Sequence, residues 1–368
     1  MKLFKPEKIY LEATARNFSQ TDVILKNLPD IPVEEVQDVR ALIHSIKQSR
    51  DPVGAGKRYL LLAVDKGRSF KPFPEAEQYL SCDYFTLHAE EGCDLECSYC
   101  ILQAYLTNPL LTVYVNIEEM LENLQTILDQ NPDRFFRIGT GQLADSLSLD
   151  HITAFSEILV PFFSRQKNAL LELKTKSTNT DRLISLDPQG RTLVSWSLNS
   201  KKIQKEEEHK CASISERIDA AKRILKIPGY QTGFHFDPII DYPGWAKNYE
   251  EVVEELFREI DPTHIAWISL GCLRMMKELK PIMKERFPKS KLPEAEWIHG
   301  MDGKLRYFKP TRIEIYRTMV EMIRKRAPDV TLYLSMESPE VWRHVFGFEP
   351  TKETVCQMLD IAGKKFST

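Results

Sequence analysis

The run His88-Ala-Glu-Glu-Gly-Cys93-Asp-Leu-Glu-Cys97-Ser-Tyr-Cys100-Ile-Leu-Gln103 carries three cysteines in the spacing C-x3-C-x2-C. Iron–sulfur cubanes are held by cysteine thiolates, commonly four. Three thiolates for four irons, with no fourth cysteine nearby in sequence, leave one iron open to a non-protein ligand. A structural zinc site would take four ligands, usually as two close pairs far apart, so zinc needs His88 as its fourth ligand. A disulfide framework fits less well, because seven cysteines in 368 residues are sparse and odd in number. Cys82, Cys211, Cys272 and Cys356 stand alone in sequence and read as small apolar residues.

A triplet of this spacing with an aromatic residue, Tyr99, just before the third cysteine is the signature of radical S-adenosylmethionine (SAM) enzymes. In these enzymes the cofactor chelates the open iron through its amino and carboxylate groups. Outward from the triplet the chain alternates strand and helix. Strands are expected at 84–88, 134–138, 169–175, 191–198, 231–236 and 263–270. Helices are expected at 117–129, 152–165, 214–227, 248–260 and 274–286. Such alternation builds parallel βαβ units, and about six fit between residues 80 and 290. The expected fold is α/β: a partial (β/α)6 TIM-type barrel over 81–290, a small N-terminal α/β lobe over 1–80, and a C-terminal β-hairpin and helix extension over 291–368. In the lobe, Val33–Ser49 has helical spacing and Asp51–Arg58 reads as a connector, its GxGK fragment lacking phosphate-loop spacing. In the extension a helix is expected at 311–327 and a final strand at 330–335, and the tail to Thr368 reads as peripheral.

In parallel α/β folds chemistry gathers at the C-terminal ends of strands, which is where the cysteine loop falls. Other polar residues at strand ends are candidates for cofactor contact. Asp145 follows the second strand, as a ligand contact or a helix N-cap. Lys174 and Lys176 end the third, facing either the SAM carboxylate or solvent. Ser195, Ser197 and Asn199 share one face of the fourth, as do His235 and Asp237 of the fifth. Gly300–Arg317 interleaves basic and aromatic residues. Lys304, Arg306, Tyr307 and Arg312 there either meet nucleic-acid phosphates and bases or belong to an ordinary charged hairpin and helix. The charge run Lys201–Lys210 reads as a solvated loop or helix start.

The hydrophobic fraction of 42% and the absence of a transmembrane-length apolar run predict a soluble protein with no membrane partner. An exposed cluster, unpaired thiols and an N-terminus without an apolar signal core point to the reducing cytoplasm. A net charge of −3 gives no global attraction to nucleic acid.

From about residue 80 to 335 the chain resembles the spore photoproduct lyase family of radical SAM DNA-repair enzymes. The resemblance is carried, in one order, by the cysteine run with Leu102-Gln103, Tyr114-Val-Asn116, Asp145 with Asp150-His151, Thr175-Lys176, Ser197-x-Asn199, Glu216-Arg217-Ile218, and Pro238-Ile239 with Gly244-Trp245. It implies a [4Fe–4S] cluster on Cys93, Cys97 and Cys100, with SAM contacts at Lys176, Ser197 and Asn199. It also implies reductive cleavage of SAM to a 5′-deoxyadenosyl radical, which takes hydrogen from a thymine dimer in DNA. A flavodoxin- or ferredoxin-type electron donor would supply the electron. Two departures stand out. The family's hydrogen-returning cysteine, shortly before the aspartate matched by Asp145, is replaced by the stretch Thr140-Gly-Gln142, and the tyrosine after the third cluster cysteine is Ile101. Hydrogen return then falls to Cys272 or Tyr99, or the substrate is another nucleoside, RNA or peptide.

Overall fold

Parallel strands need a crossover between them, and downstream of residue 80 the chain supplies one each time. The computed structural model describes residues 2–67, 69–74, 76–80 and 83–366, so Cys82 lies outside the described residues. Seven strands form one curled parallel sheet in chain order: β1 Tyr84–Leu87, β2 Phe136–Gly139, β3 Ala169–Thr175, β4 Thr192–Ser197, β5 Tyr230–Ile239, β6 Ile265–Cys272 and β7 Leu332–Leu334. This is the expected partial barrel with one strand more, β7, from the C-terminal region. Phe70–Pro72 pairs antiparallel along the free edge of β1.

Helix Ile117–Gln130 buries Ile117, Met120, Leu121, Leu124 and Leu128, the 3.6-residue stripe read from sequence. The helix expected over 152–165 is two. Ala154 takes a left-handed conformation (φ 52°) between Asp150–Thr153 and Ser156–Ser164. The Asp150 carboxylate caps the second of them, accepting from Ser156 N at 2.9 Å and Oγ at 2.6 Å.

A second sheet runs Val33–Val36, Lys8–Glu12, Tyr59–Ala63, Leu111–Tyr114, all parallel, with Glu90–Glu91 antiparallel at its end. The segment expected to be one helix from Val33 is thus a strand and then the helix Val39–Lys47. Asp38 starts that helix by accepting from the amides of Arg40 and Ala41. Asp51 likewise caps a short helix, Pro52–Gly56, inside the expected connector. Both flanks of the cysteine loop, Glu90–Glu91 and Leu111–Tyr114, belong to this lobe sheet. The sheets therefore cut across the boundary expected at residue 80.

The C-terminal tail is not peripheral. Helix Lys352–Lys364 buries Val355, Leu359 and Ala362 in the main core. Asp360 pairs with Arg137 of β2 at 2.8 Å, where Arg137 is only 3% exposed. A Cβ on Gly363 would stand 2.9 Å from Leu170 of β3, so the helix backbone lies directly on the sheet. Asp360→Ala should lower unfolding free energy by about 1–3 kcal/mol in denaturant melts, the cost of leaving a buried donor short of a partner; a loosely attached tail would give no change.

Candidate active site

The sequence from His88 to Leu110 is held as a loop because its two ends are strands of the lobe while its centre pairs elsewhere. Glu96–Cys97 forms a two-residue antiparallel ladder with Glu208–His209. Glu96 is gripped by Arg286 at 3.0 Å and Lys57 at 3.6 Å, and Arg286 also pairs with Asp51 at 3.0 Å. Beneath the loop, Ser98 donates to Glu207 and Tyr99 to Glu208. Glu208 pairs with Arg217 at 2.5 Å, and both side chains are fully buried. Arg217 also donates to the carbonyls of Ala212 (2.9 Å) and Ser197 (2.7 Å). Burial opposes ionisation of Glu208, but Arg217 and Lys176 outweigh it and hold the carboxyl below its ordinary value.

The charge run Lys201–Lys210 is therefore not simply solvated. Lys201–Glu207 is a helix whose lysines face water, while Glu207 and Glu208 turn inward as the floor of the cysteine loop. In sequence Arg217 figures only in the Glu216-Arg217-Ile218 match and without a role, although one signal marked it. It occupies a core-facing position of helix Ile214–Ile224, whose other buried residues include Ile214, Ile218, Ala221 and Ile224. A cation on an apolar stripe demands a buried partner.

At the mouth of the half-barrel Cys93, Cys97 and Cys100 line one cavity of 310 Å³ with Tyr99, Lys176 and Ser197. Among the described residues no three His, Cys, Asp or Glu side chains gather around a single-ion position. His88, the fourth ligand a zinc site would need, bonds Gln142 through Nε2 at 2.7 Å. A cubane bonds each thiolate to a different iron, so it asks for separated thiols around shared space, and this donor set fits it. Burial pushes the Cys93 and Cys100 thiols up, whereas a hydrogen bond from Cys211 pulls Cys97 down. Cys211 does not stand alone in space: its Sγ is 3.5 Å from that of Cys97, although it does not line the cavity.

The candidate SAM contacts divide. Lys176 reaches the cavity with its ammonium 5.8 Å from the Tyr99 ring centre, and Ser197 lines the wall. Asp145 and Asp237 also line it, but their carboxylates are engaged. Asp145 accepts from the amides of Leu147, Ser148 and Lys176 and from Thr175 Oγ1. Asp237 is bidentate with Arg274 at 3.0 and 2.8 Å. Gly271 makes room for it, since a Cβ there would stand 2.6 Å from the Asp237 carboxyl carbon. Ser195, two residues deeper on β4, is fully buried and does not reach the cavity. Asn199 is spent on Pro238 O (3.1 Å), Ser200 N and Tyr249. His235 lies in an adjoining recess of 130 Å³ between Glu172 (2.8 Å) and Ser269 (2.6 Å). Burial and Lys174 hold His235 below the ordinary imidazole value, against the opposing pull of Glu172.

Neither candidate hydrogen donor presents its hydrogen to the cavity. Cys272 is 1% exposed outside the cavity wall, where its neighbours Leu273 and Arg274 take the lining positions. Tyr99 lines the wall but points its hydroxyl at Glu208. Of the four residues offered for nucleic acid, only Lys304 reaches the cavity. Arg306 is fully buried on Asp302 (2.8 Å) and over the Tyr79 ring. Tyr307 stacks on Trp297 with ring centres 4.9 Å apart and is 4% exposed. Arg312 is buried against Glu337 at 2.9 Å. These three hold together the hairpin and the helix Lys309–Arg326 that follows it.

The family model for spore photoproduct lyase matches residues 4–334. A spore photoproduct lyase of Geobacillus sp. (strain Y412MC61) is 24% identical over 342 residues, 89% of this chain and 98% of the relative. That of Bacillus subtilis (strain 168) is 25% identical over 300 residues, 78% of this chain and 84% of its own. A solved structure of a doubly substituted spore photoproduct lyase with bound AdoMet and dinucleoside spore photoproduct superimposes with a TM-score of 0.79 at 23% identity, covering 91% of this chain and all of that one.

Arg217→Met should cost about 3–5 kcal/mol, the penalty for stranding a buried partner charge, and should lower the iron retained after anaerobic reconstitution. Lys205→Met, on the exposed side of the same run, should change neither. Folding also depresses Glu208, so its contribution is complete above the ordinary value of 4.5 and lost as pH falls below it. Denaturation curves of wild type and Glu208→Gln should therefore begin to converge as pH falls below about 4.5 and meet only below the depressed folded-state value.

Proposed function

The chain belongs to the spore photoproduct lyase family, and on that premise we propose that it is a radical SAM lyase reversing a thymine-dimer photoproduct in DNA. The observation that carries this reading is the single cavity shared by Cys93, Cys97, Cys100, Lys176 and Ser197. When bound, the cluster and SAM supply one electron and a 5′-deoxyadenosyl radical. The chain's own residues do the rest. Lys176 sets a half-buried cation on the wall of the cysteine cavity, where it could pair with a carboxylate of SAM, and the negative charges of Cys97 and Glu208 raise its pKa against the opposing effect of burial. Ser197 offers a hydroxyl beside it. The Asp145 carboxylate fixes the backbone that carries Lys176, acting as a positioning residue. No helix among the described residues is long and apolar enough to cross a membrane, and the free thiols suit a reducing cytoplasm.

Hydrogen return works differently from the family's cysteine route. Among the described residues, the thiols lining the cavity are Cys93, Cys97 and Cys100, all assigned to the cluster. An electron and a proton from outside the chain then quench the product radical, and one SAM is consumed per dimer reversed. The same lack of a further thiol among the described lining residues favours a second reading, radical SAM chemistry on another nucleoside, RNA or peptide.

Anaerobic incubation with SAM, dithionite and dinucleotide spore photoproduct tests the choice. The thymine dinucleotide should form with about one 5′-deoxyadenosine released per product. Cleavage of SAM without thymine product would overturn photoproduct repair and leave the second reading. Gln142→Cys, which puts a thiol on the cavity wall, should lower the 5′-deoxyadenosine released per product.

A further inference from the structure

Cys211 is a thiol for which the radical chemistry has no use. Its Sγ lies 3.5 Å from that of Cys97, and it is half-buried, off the wall of the cysteine cavity. Both backbones are held in place. Cys97 faces Glu208 in the short antiparallel ladder, and the next amide, Ser98 N, donates to Glu207 O at 2.8 Å. Three residues beyond Glu208, Cys211 N donates back to Glu208 O at 3.4 Å, and Ala212 N donates to Lys176 O at 3.1 Å. Arg217 Nε grips Ala212 O at 2.9 Å. The two sulfurs therefore meet across neighbouring segments of one fastened unit, and a disulfide asks them only to close to about 2 Å. Cys97 also lines the 310 Å³ cavity at the mouth of the half-barrel, so a small oxidant that enters the cavity meets Cys97 first and Cys211 stands next to it.

We propose that Cys97 and Cys211 are an oxidation site for small peroxides: in protein stripped of its cluster they join as a reversible disulfide, with Cys211 as the resolving thiol. This rests on the radical SAM reading above, which makes Cys97 a cluster ligand. The Cys97 sulfur attacks the peroxide, the O–O bond breaks, and Cys97 becomes a sulfenic acid as one water leaves. The Cys211 sulfur then displaces the sulfenic hydroxyl: the S–S bond forms, the S–O bond breaks, and a second water leaves. The two thiols together lose two electrons and two hydrogens, and hydrogen peroxide gains both. A sulfenic acid with no thiol beside it goes on to sulfinic acid, which thiols do not reverse. The disulfide halts Cys97 at a reversible stage. It also withholds one of the three cluster ligands until a dithiol reduces the bond by exchange.

The test takes the full chain, freed of metal by a chelator under anaerobic conditions, and treats it with a small excess of hydrogen peroxide. Peptide masses are then mapped, and iron uptake is measured with and without prior dithiothreitol. Wild type should lose two hydrogens, with the Cys97 and Cys211 peptides joined. It should then take up about a tenth or less of the iron bound by untreated protein, since one thiolate is missing, and regain the rest after dithiothreitol. Cys211→Ser should bind as much iron as wild type before peroxide. After peroxide its Cys97 should carry two added oxygens, and dithiothreitol should restore no iron. Peptides left unjoined in wild type would overturn the proposal, as would a bridge made instead among Cys93, Cys97 and Cys100, or full recovery of peroxide-treated Cys211→Ser. Loss of iron binding in untreated, folded Cys211→Ser would make Cys211 a ligand and remove the three-thiolate reading itself.

Discussion

The fully buried pair of Glu208 and Arg217 is the constraint on which the site depends. One cation joins the end of β4 through Ser197 O, the start of its own helix through Ala212 O, and the cysteine loop through Glu208 and Tyr99. A buried pair of this kind is weak evidence for net stability, because desolvation offsets much of its attraction. Its value here is geometric. Removing either member strands a charge, so the arrangement that aligns Cys97 and Tyr99 with the strand ends has no cheap alternative.

The N-terminal lobe adds the second constraint. Because Glu90–Glu91 and Leu111–Tyr114 are strands of its sheet, the cysteine loop is tied at both ends to one body while its middle is tied to the half-barrel. Lys57 and Arg286 complete the fastening through Glu96. The loop is thereby a wall between two cavities, one opening on the candidate SAM contacts and the other between the N-terminal lobe and helix Leu279–Arg286.

Much of this was legible in sequence. The alternation of strands and helices located six of the seven barrel strands, because parallel strands buried on both faces read as short apolar runs; the seventh was expected at 330–335 but outside the barrel. Local spacing also placed the three cysteines, Lys176 and Ser197 around one cavity. It failed where the answer lay in a distant partner. Arg306, Tyr307 and Arg312 look the same whether they face phosphate or protein, and the carboxylate that claims Arg312, Glu337, comes from beyond β7. Glu208 sat in a run that reads as solvated until Arg217 is recognised as buried. Cys211 stood isolated in sequence, yet the fold brings it to Cys97.

That last contact makes the ligand count the point to measure. Mössbauer spectra of the anaerobically 57Fe-reconstituted protein, taken with and without SAM, report each iron's ligands separately. With three thiolates and an open iron, one of the four irons should change its isomer shift when SAM is added while the other three stay as they were. Four irons indifferent to SAM would mean that a fourth protein ligand, such as Cys211 at 3.5 Å from Cys97, closes the cluster, and would contradict the radical SAM account.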